Sequence, residues 1–355
     1  MSSIKIIGGF YSRTREARKI IVVDLGFLGD TVHLIPALWE IRRHYPRAAL
    51  HLLSSPLGSD VCRLVSCVDR LWPVELAPGK RSLWQQYAII RMLRRERFDV
   101  AFNFGGNDRS ILLTALTGAR WRVAHRGGRS HFWNKWLIPC WVSRQSENLP
   151  VLEQRRQVLA QCGFTLQAPR FDLRIAADDC AWAGLTVPTG TIHLSLNSAN
   201  PLKEWPVAHY ASLVRELWKR QPDLSLVVSA TPSMREQARV RELESLLTDT
   251  RLQVLPPKMT IGQLAAVLNR CRLHFGPDSG VMHLAVALGV PTVSLFRNQP
   301  GFVGWLPSGP VHHYFLADCR CVDHRHSDCE AFNQAACLTA ISVVSVAARI
   351  RAVLG

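Results

Sequence analysis

Twice along this chain short apolar runs alternate with amphipathic stretches across glycine-bearing turns, and that repetition limits the fold more than any other feature. In the first block, 19–24 reads as a strand, 25–29 as a turn and 30–44 as a helix with Leu34, Ile35, Leu38 and Ile41 on one side. A strand at 48–54 follows, then helices near 59–65 and 82–95, a strand at 99–104 and helices at 108–116 and 151–162. The second block runs strand 191–197, helix 207–220, strand 224–229, helix 233–247 and helix 260–269. Strands that alternate with helices make parallel sheets covered by helices, so the chain is predicted to be α/β with two Rossmann-like domains. At 355 residues and 48% hydrophobic content it is long enough for both. Segment 167–188 loses strong periodicity, carries Pro169 and Pro188, and reads as the interdomain connection. The expected domains are therefore 1–170 and 189–337, followed by a helix at 338–355.

The run 271–296 closes the second block as strand, turn, helix, strand. Leu273, His274 and Phe275 suggest a buried strand that Gly276-Pro277 breaks, and Asp278 or Ser279 is placed to cap a helix reaching about Leu288. Gly289 ends that helix and Pro291 to Phe296 starts another strand. Asp278, Ser279 and Gly280 at a helix N-terminus offer backbone N–H groups and the positive end of the dipole, which suits a phosphate or pyrophosphate. His283, about one turn in, can face the same ligand. The structural alternative is that Asp278 and Ser279 only cap a helix.

Two further turns follow strands. Leu25-Gly26-Phe27-Leu28-Gly29-Asp30 lies after the first strand, where a Rossmann-type sheet binds ligands, yet it lacks the Gly-x-Gly-x-x-Gly spacing of a dinucleotide site. What remains is a glycine turn that delivers a carboxylate, Asp30, unless that residue is simply an N-cap. Asn197-Ser198-Ala199-Asn200-Pro201-Leu202-Lys203-Glu204-Trp205-Pro206 also joins a strand to a helix and presents Lys203. Its bland reading is a solvated lysine beside a packing tryptophan.

A formal charge of +16 favours anionic partners: nucleic acid, acidic lipid headgroups or phosphorylated glycans. Nucleic acid is disfavoured because no helix-turn-helix, RNA-binding or zinc-finger pattern is present. Arg91, Arg94, Arg95 and Arg97 read first as the solvated face of a helix. Arg120, Arg122, Arg126 and Arg129, with His125 and His131 around a Gly-Gly loop, read as a surface for binding an anionic partner. No run approaches membrane-span length, and the apolar piece at 4–10 is short for a signal core with its basic residues on the wrong side, so a cytosolic location is the default. Of ten cysteines, Cys62, Cys67, Cys140, Cys162, Cys180 and Cys271 are expected to be reduced and to pack as small hydrophobes. Cys319, Cys321, Cys329 and Cys337 cluster with His324 and His326, a set able to hold zinc or iron, although Cys-x-Cys is not zinc-ribbon spacing.

These motifs, in this order, resemble glycosyltransferase family 9, the ADP-heptose:lipopolysaccharide heptosyltransferases. The likeness rests on Gly29-Asp30 with Pro36-Ala37-Leu38 after it, on Lys203-Glu204-Trp205-Pro206, and on Asp278-Ser279-Gly280-Val281-Met282-His283. It runs from about Lys19 to the end. It implies the GT-B fold, two Rossmann-like domains facing across a cleft, with the C-terminal helix crossing back to the first domain. It also implies an inverting transfer of heptose from an ADP-sugar to a lipopolysaccharide core or related anionic glycan at the cytoplasmic face of the inner membrane, with no metal required for transfer. In that pattern Asp30 is the general base, Lys203 contacts the nucleotide phosphates and Ser198 can add a hydroxyl. Gly29, His33, Arg126 and Arg129 are acceptor candidates, Glu236 is a ribose candidate with a helix-face carboxylate as its alternative, and Met259 can touch the base. A comparable Cys-rich stretch precedes the last helix in several members. Two departures are Asp24, where a basic residue is frequent, and Arg297, where Gly is usual. The alternatives are a related enzyme acting on a protein acceptor and a non-catalytic scaffold on the same fold.

Overall fold

Ile20, Ile21, Val22 and Val23 are fully buried on both faces of their strand, which is what a continuous apolar run becomes inside a parallel sheet. The computed structural model describes residues 9–75, 83–125, 134–143, 146, 148–299, 301–318, 329 and 335–355. It divides into two units, Met1–Arg174 and Ile175–Gly355. In the first, β1 (Lys19–Asp24), β2 (Ala49–Ser54), β3 (Arg70–Pro73), β4 (Val100–Asn103), β5 (Trp121–His125) and β6 (Cys140–Val142) form one sheet of order β3-β2-β1-β4-β5-β6. Every pairing is parallel. Ile21, Val23, Leu53 and Ala101 pack with Trp72, Leu93 and Phe98 on one face. The chain order reverses between β1 and β4, so the loops after these strands part and leave a crevice at the carboxyl ends. Helix Leu28–His44 starts there, directly after β1.

The second unit repeats the plan. β7 (Ile192–Ser195), β8 (Leu226–Ser229), β9 (Leu252–Val254), β10 (Leu273–Pro277), β11 (Thr292–Arg297) and β12 (His312–Ala317) are ordered β12-β11-β10-β7-β8-β9, all parallel. Counted from β7, this is the order of the first unit, with the reversal between β7 and β10. One face carries Leu194, Leu196, Trp205, Tyr210, Leu226 and Phe275; the other carries Ala183, Val187, Ala266 and Val267. At Gly276 a Cβ would come within 2.9 Å of the Ser195 backbone oxygen, so this strand contact beside the reversal requires glycine.

Four expectations change. Segment 167–188 is not all connection, because Ala177–Thr186 is a helix packed on Ile261–Arg270 of the second unit. It buries little beyond Ala183 and leaves Leu185 exposed, so its sequence carries a weak apolar period. The last helix, Val343–Leu354, expected against the first domain, packs on helix Val207–Trp218, and its Val346, Ala347 and Ile350 enter the core of the second unit. Strands β3, β5, β6, β9 and β12 join the sheets without a separate signal in the sequence, and β5 places Arg122 in a strand where a loop was expected. Gly276 and Pro277 extend β10 rather than break it. Among the described residues no helix is long and apolar enough to cross a membrane.

Candidate active site

In the second unit the carboxyl ends of β7 and β10 bring six expected residues together. Asp278 follows β10 and is nearly buried; Lys203 Nζ donates to its Oδ2 at 2.6 Å, and His283 Nε2 lies 3.4 Å from its Oδ1. Ser279 caps helix Gly280–Ala287, its Oγ accepting from the Met282 N–H, so Gly280 occupies the first turn. Burial pushes the Asp278 carboxyl up, but the hydrogen bond from His283 and the charge of Lys203 outweigh it and hold the group below its ordinary value. The result is a fixed carboxylate that positions an ammonium and an imidazole beside the positive end of a helix. Such a group of donors suits an anion with several oxygens.

Ser198 lies in the same cluster but its hydroxyl donates to the Asp278 carbonyl at 2.9 Å. A phosphate would receive that proton only after the hydroxyl rotates. The loop carrying Ser198 and Lys203 is held by Glu204, which sequence reasoning passed over. Buried Glu204 accepts from the Ser198 N–H at 2.8 Å and from Arg235 at 2.6 Å, and Arg235 also donates to the Ser198 carbonyl. Trp205 is fully buried against Tyr210 and Phe275, as its packing reading requires. Glu236 is engaged elsewhere, accepting the Thr231 N–H at 2.8 Å in the loop after β8. Met259 packs against the apolar cluster of Ala183, Val187 and Leu255. Arg297 ends β11, partly buried.

In the first unit Asp30 sits in the third position of helix Leu28–His44, not at its cap. Its Oδ2 accepts the Phe27 N–H at 3.0 Å, and 27% of the side chain stays exposed, enough for a substrate hydroxyl to reach. A Cβ on Gly26 would lie 2.3 Å from the Asp30 Cβ, which is why the turn before the helix needs glycine. Gly29 and His33 are buried in the same first turns. Asp30 also meets a partner that the sequence does not reveal. Arg155, on helix Val151–Gln161, reaches Asp24 at 2.5 Å and Asp30 at 3.3 Å. Nothing local marks Arg155, because its partners are 131 and 125 residues away.

Arg126 and Arg129 lie outside the described residues, as do His131, Cys319, Cys321, His324 and His326. Arg122, expected on a surface for an anionic partner, instead donates to the backbone carbonyls of Leu137 and Ala119. Arg91, Arg94, Arg95 and Arg97 are exposed along and just after helix Leu83–Arg95. With Tyr87 and Ile90 they line a depression of about 480 Å³, and no carboxylate is among the residues lining it. Cys62, Cys67, Cys140, Cys162 and Cys271 are buried, and burial pushes each thiol up, Cys67 and Cys271 to about 12. Cys180 is exposed, a correction to its packing role. Cys329 is buried and Cys337 packs at the edge of the second core; no three metal-binding side chains converge among the described residues.

This arrangement has close company among known proteins. The lipopolysaccharide core heptosyltransferase OpsX of Haemophilus influenzae is 23% identical over 80% of this chain and 80% of its own length. The crystal structure of a glycosyl transferase family 9 protein from Veillonella parvula superposes with a TM-score of 0.81 at 21% identity, covering 95% of this chain and 97% of that one. The ADP-heptose lps heptosyltransferase II structure from Escherichia coli gives 0.76 at 18% identity over 95% and 98%. Such solved GT-B neighbours account for the two-sheet fold. The sequence model of glycosyltransferase family 9 (heptosyltransferase) matches residues 86–332, most of the chain, including the Lys203 and Asp278 turns. The chain therefore belongs to glycosyltransferase family 9, the heptosyltransferase family, and is a glycosyltransferase.

Proposed function

We propose that this chain is an inverting glycosyltransferase that moves a heptose from ADP-heptose to a lipopolysaccharide core, or a related anionic glycan, at the cytoplasmic face of the inner membrane. The observation that carries this reading is the Lys203–Asp278–His283 cluster against the start of helix Gly280–Ala287, at the strand-order reversal of the second unit. The names of the Escherichia coli and Haemophilus influenzae proteins supply the sugar, the nucleotide and the acceptor class.

In this reading the second unit holds the donor diphosphate. As the anomeric carbon parts from it through an oxocarbenium-like transition state, negative charge grows on the leaving oxygens, and Lys203 with the helix N–H groups stabilises it. Asp30 takes the proton of the acceptor hydroxyl as it attacks. Help of this kind is worth on the order of 10²–10⁴-fold. One acid suffices, because positive charge replaces the general acid that a neutral leaving group needs. Direct attack inverts the anomeric centre. Since Lys203 and the helix start supply the positive charge, the transfer step asks for no metal. The exposed arginines of helix Leu83–Arg95 support residence at an anionic membrane surface.

Release of ADP from ADP-heptose in the presence of a lipopolysaccharide-core acceptor tests the proposal, with UDP-sugars as the comparison. Asp30→Asn is expected to lose transfer while binding the donor almost normally, and undiminished turnover would remove Asp30 from the role. We also propose that Cys319, Cys321, Cys329 and Cys337 hold a structural zinc or iron ion, thiolates being the ligands such ions select. Elemental analysis of the purified protein should find about one equivalent of metal, lost on replacing the four by Ser. A metal-free preparation with full stability and activity would end that idea.

A further inference from the structure

Asp24 is 1% exposed and Arg155 is 9% exposed, a dry ion pair beside the more open Asp30. One guanidinium spans two acids. Its Nη1 holds Asp24 Oδ2 at 2.5 Å, and its Nη2 holds Asp30 Oδ1 at 3.3 Å. The remaining oxygens are fixed by the β1 turn: Asp24 Oδ1 accepts the Gly26 N–H at 3.1 Å, and Asp30 Oδ2 accepts the Phe27 N–H at 3.0 Å. Asp24 is too deeply buried to meet a substrate, so its carboxylate has no part in proton transfer itself.

We propose that Arg155, clamped by Asp24, is the positioning residue of the Asp30 carboxylate, aiming it from helix Val151–Gln161 while Asp24 draws off most of the guanidinium. The division of that cation matters chemically. A carboxylate fully paired with an arginine is a weak base and offers few open lone pairs; one with no cation nearby turns freely and protonates easily. Here the shorter, drier contact goes to Asp24, and Asp30 keeps the longer one. This inference rests on the reading of Asp30 as base but is separable from it.

Other ionisable groups lie on the elements around the trio. The Cys62 thiol, from helix Pro56–Cys62, is buried near Asp24 and pushed up chiefly by burial. Asp60 on that helix lies 3.6 Å from Arg63. Glu153 pairs with Arg156, which also faces Glu40 at 3.6 Å. His33 shares the helix of Asp30 and is buried one turn on.

The test is a carbon-13 titration of the aspartate carboxyls in the full chain, with Asp30→Asn identifying the signal. In Arg155→Gln, Asp30 should protonate at higher pH, by roughly one unit, because a nearby cation is lost. In Asp24→Asn it should protonate at lower pH, because Asp30 then has Arg155 to itself. The acid limb of kcat should move the same two ways, Arg155→Lys should recover part of the Arg155→Gln change, and KM for the donor should hold. Two opposite shifts are a signature that loss of stability does not produce. Should Arg155→Gln fail to fold with Asp24 buried alone, the double variant Asp24→Asn with Arg155→Gln removes both charges and should still raise the Asp30 titration. Folded variants in which Asp30 titrates as in the parent overturn the proposal. Turnover by Asp30→Asn would instead remove the base assignment, leaving the titration to judge the clamp.

Discussion

Asp278 is a carboxylate placed next to where a diphosphate is expected, and its charge has the wrong sign for contact with phosphate. Its use is indirect. It orders Lys203 and His283, whose positive or donor atoms have the right sign. Because its folded-state value lies below the ordinary 3.8, the pairing contributes stability that is fully present above that ordinary value and is lost as pH falls through the lowered one. Asp278→Asn should therefore be less stable than the parent at neutral pH, on the order of 1–3 kcal/mol, and the difference should shrink in strong acid. Urea melts at several pH values would show it, and a constant difference down to acid would disprove it. Single residues were legible in the sequence where a motif carried them, as with Lys203 and Asp278. Glu204 and Arg155 were not, since a buried ion pair between distant segments leaves no local pattern.

At the scale of elements, the strands that the sequence shows best are those buried on both faces: β1 and β8, with unbroken apolar runs, and β2 and β7, whose runs are interrupted only by the buried His51 and His193. β9 has three partly buried residues, and β12 is half exposed, so neither stands out by composition. The turn between β1 and helix Leu28–His44 is the element most sensitive to change. A Cβ at Gly26 would meet the Cβ of Asp30 at 2.3 Å and its Cγ at 2.6 Å, so alanine there has to move Asp30 or the turn itself. Gly26→Ala is expected to lower kcat on the order of 10²-fold with little change in donor KM, which steady-state kinetics would read. Equal effects on both constants would show that the turn does more than seat the acid.

For the whole molecule, two sheets of identical strand order each place a crevice at their own reversal, and each crevice holds one set of candidate groups. The net charge of +16 has a local expression in the arginines of helix Leu83–Arg95. Near an anionic surface each is worth about 1 kcal/mol, so changing Arg91, Arg94, Arg95 and Arg97 to Gln should abolish flotation with phosphatidylglycerol vesicles while sparing turnover of a soluble acceptor. Equal flotation of the variant would place the membrane contact elsewhere. Finally, the ammonium of Lys203 already has an intramolecular mate, so an incoming nucleotide sugar must win it from Asp278. That same rivalry works in reverse once the sugar has gone: the displaced acid can reclaim the lysine and help evict the spent nucleotide, so weakening this contact should make the enzyme grip its by-product and stall between cycles.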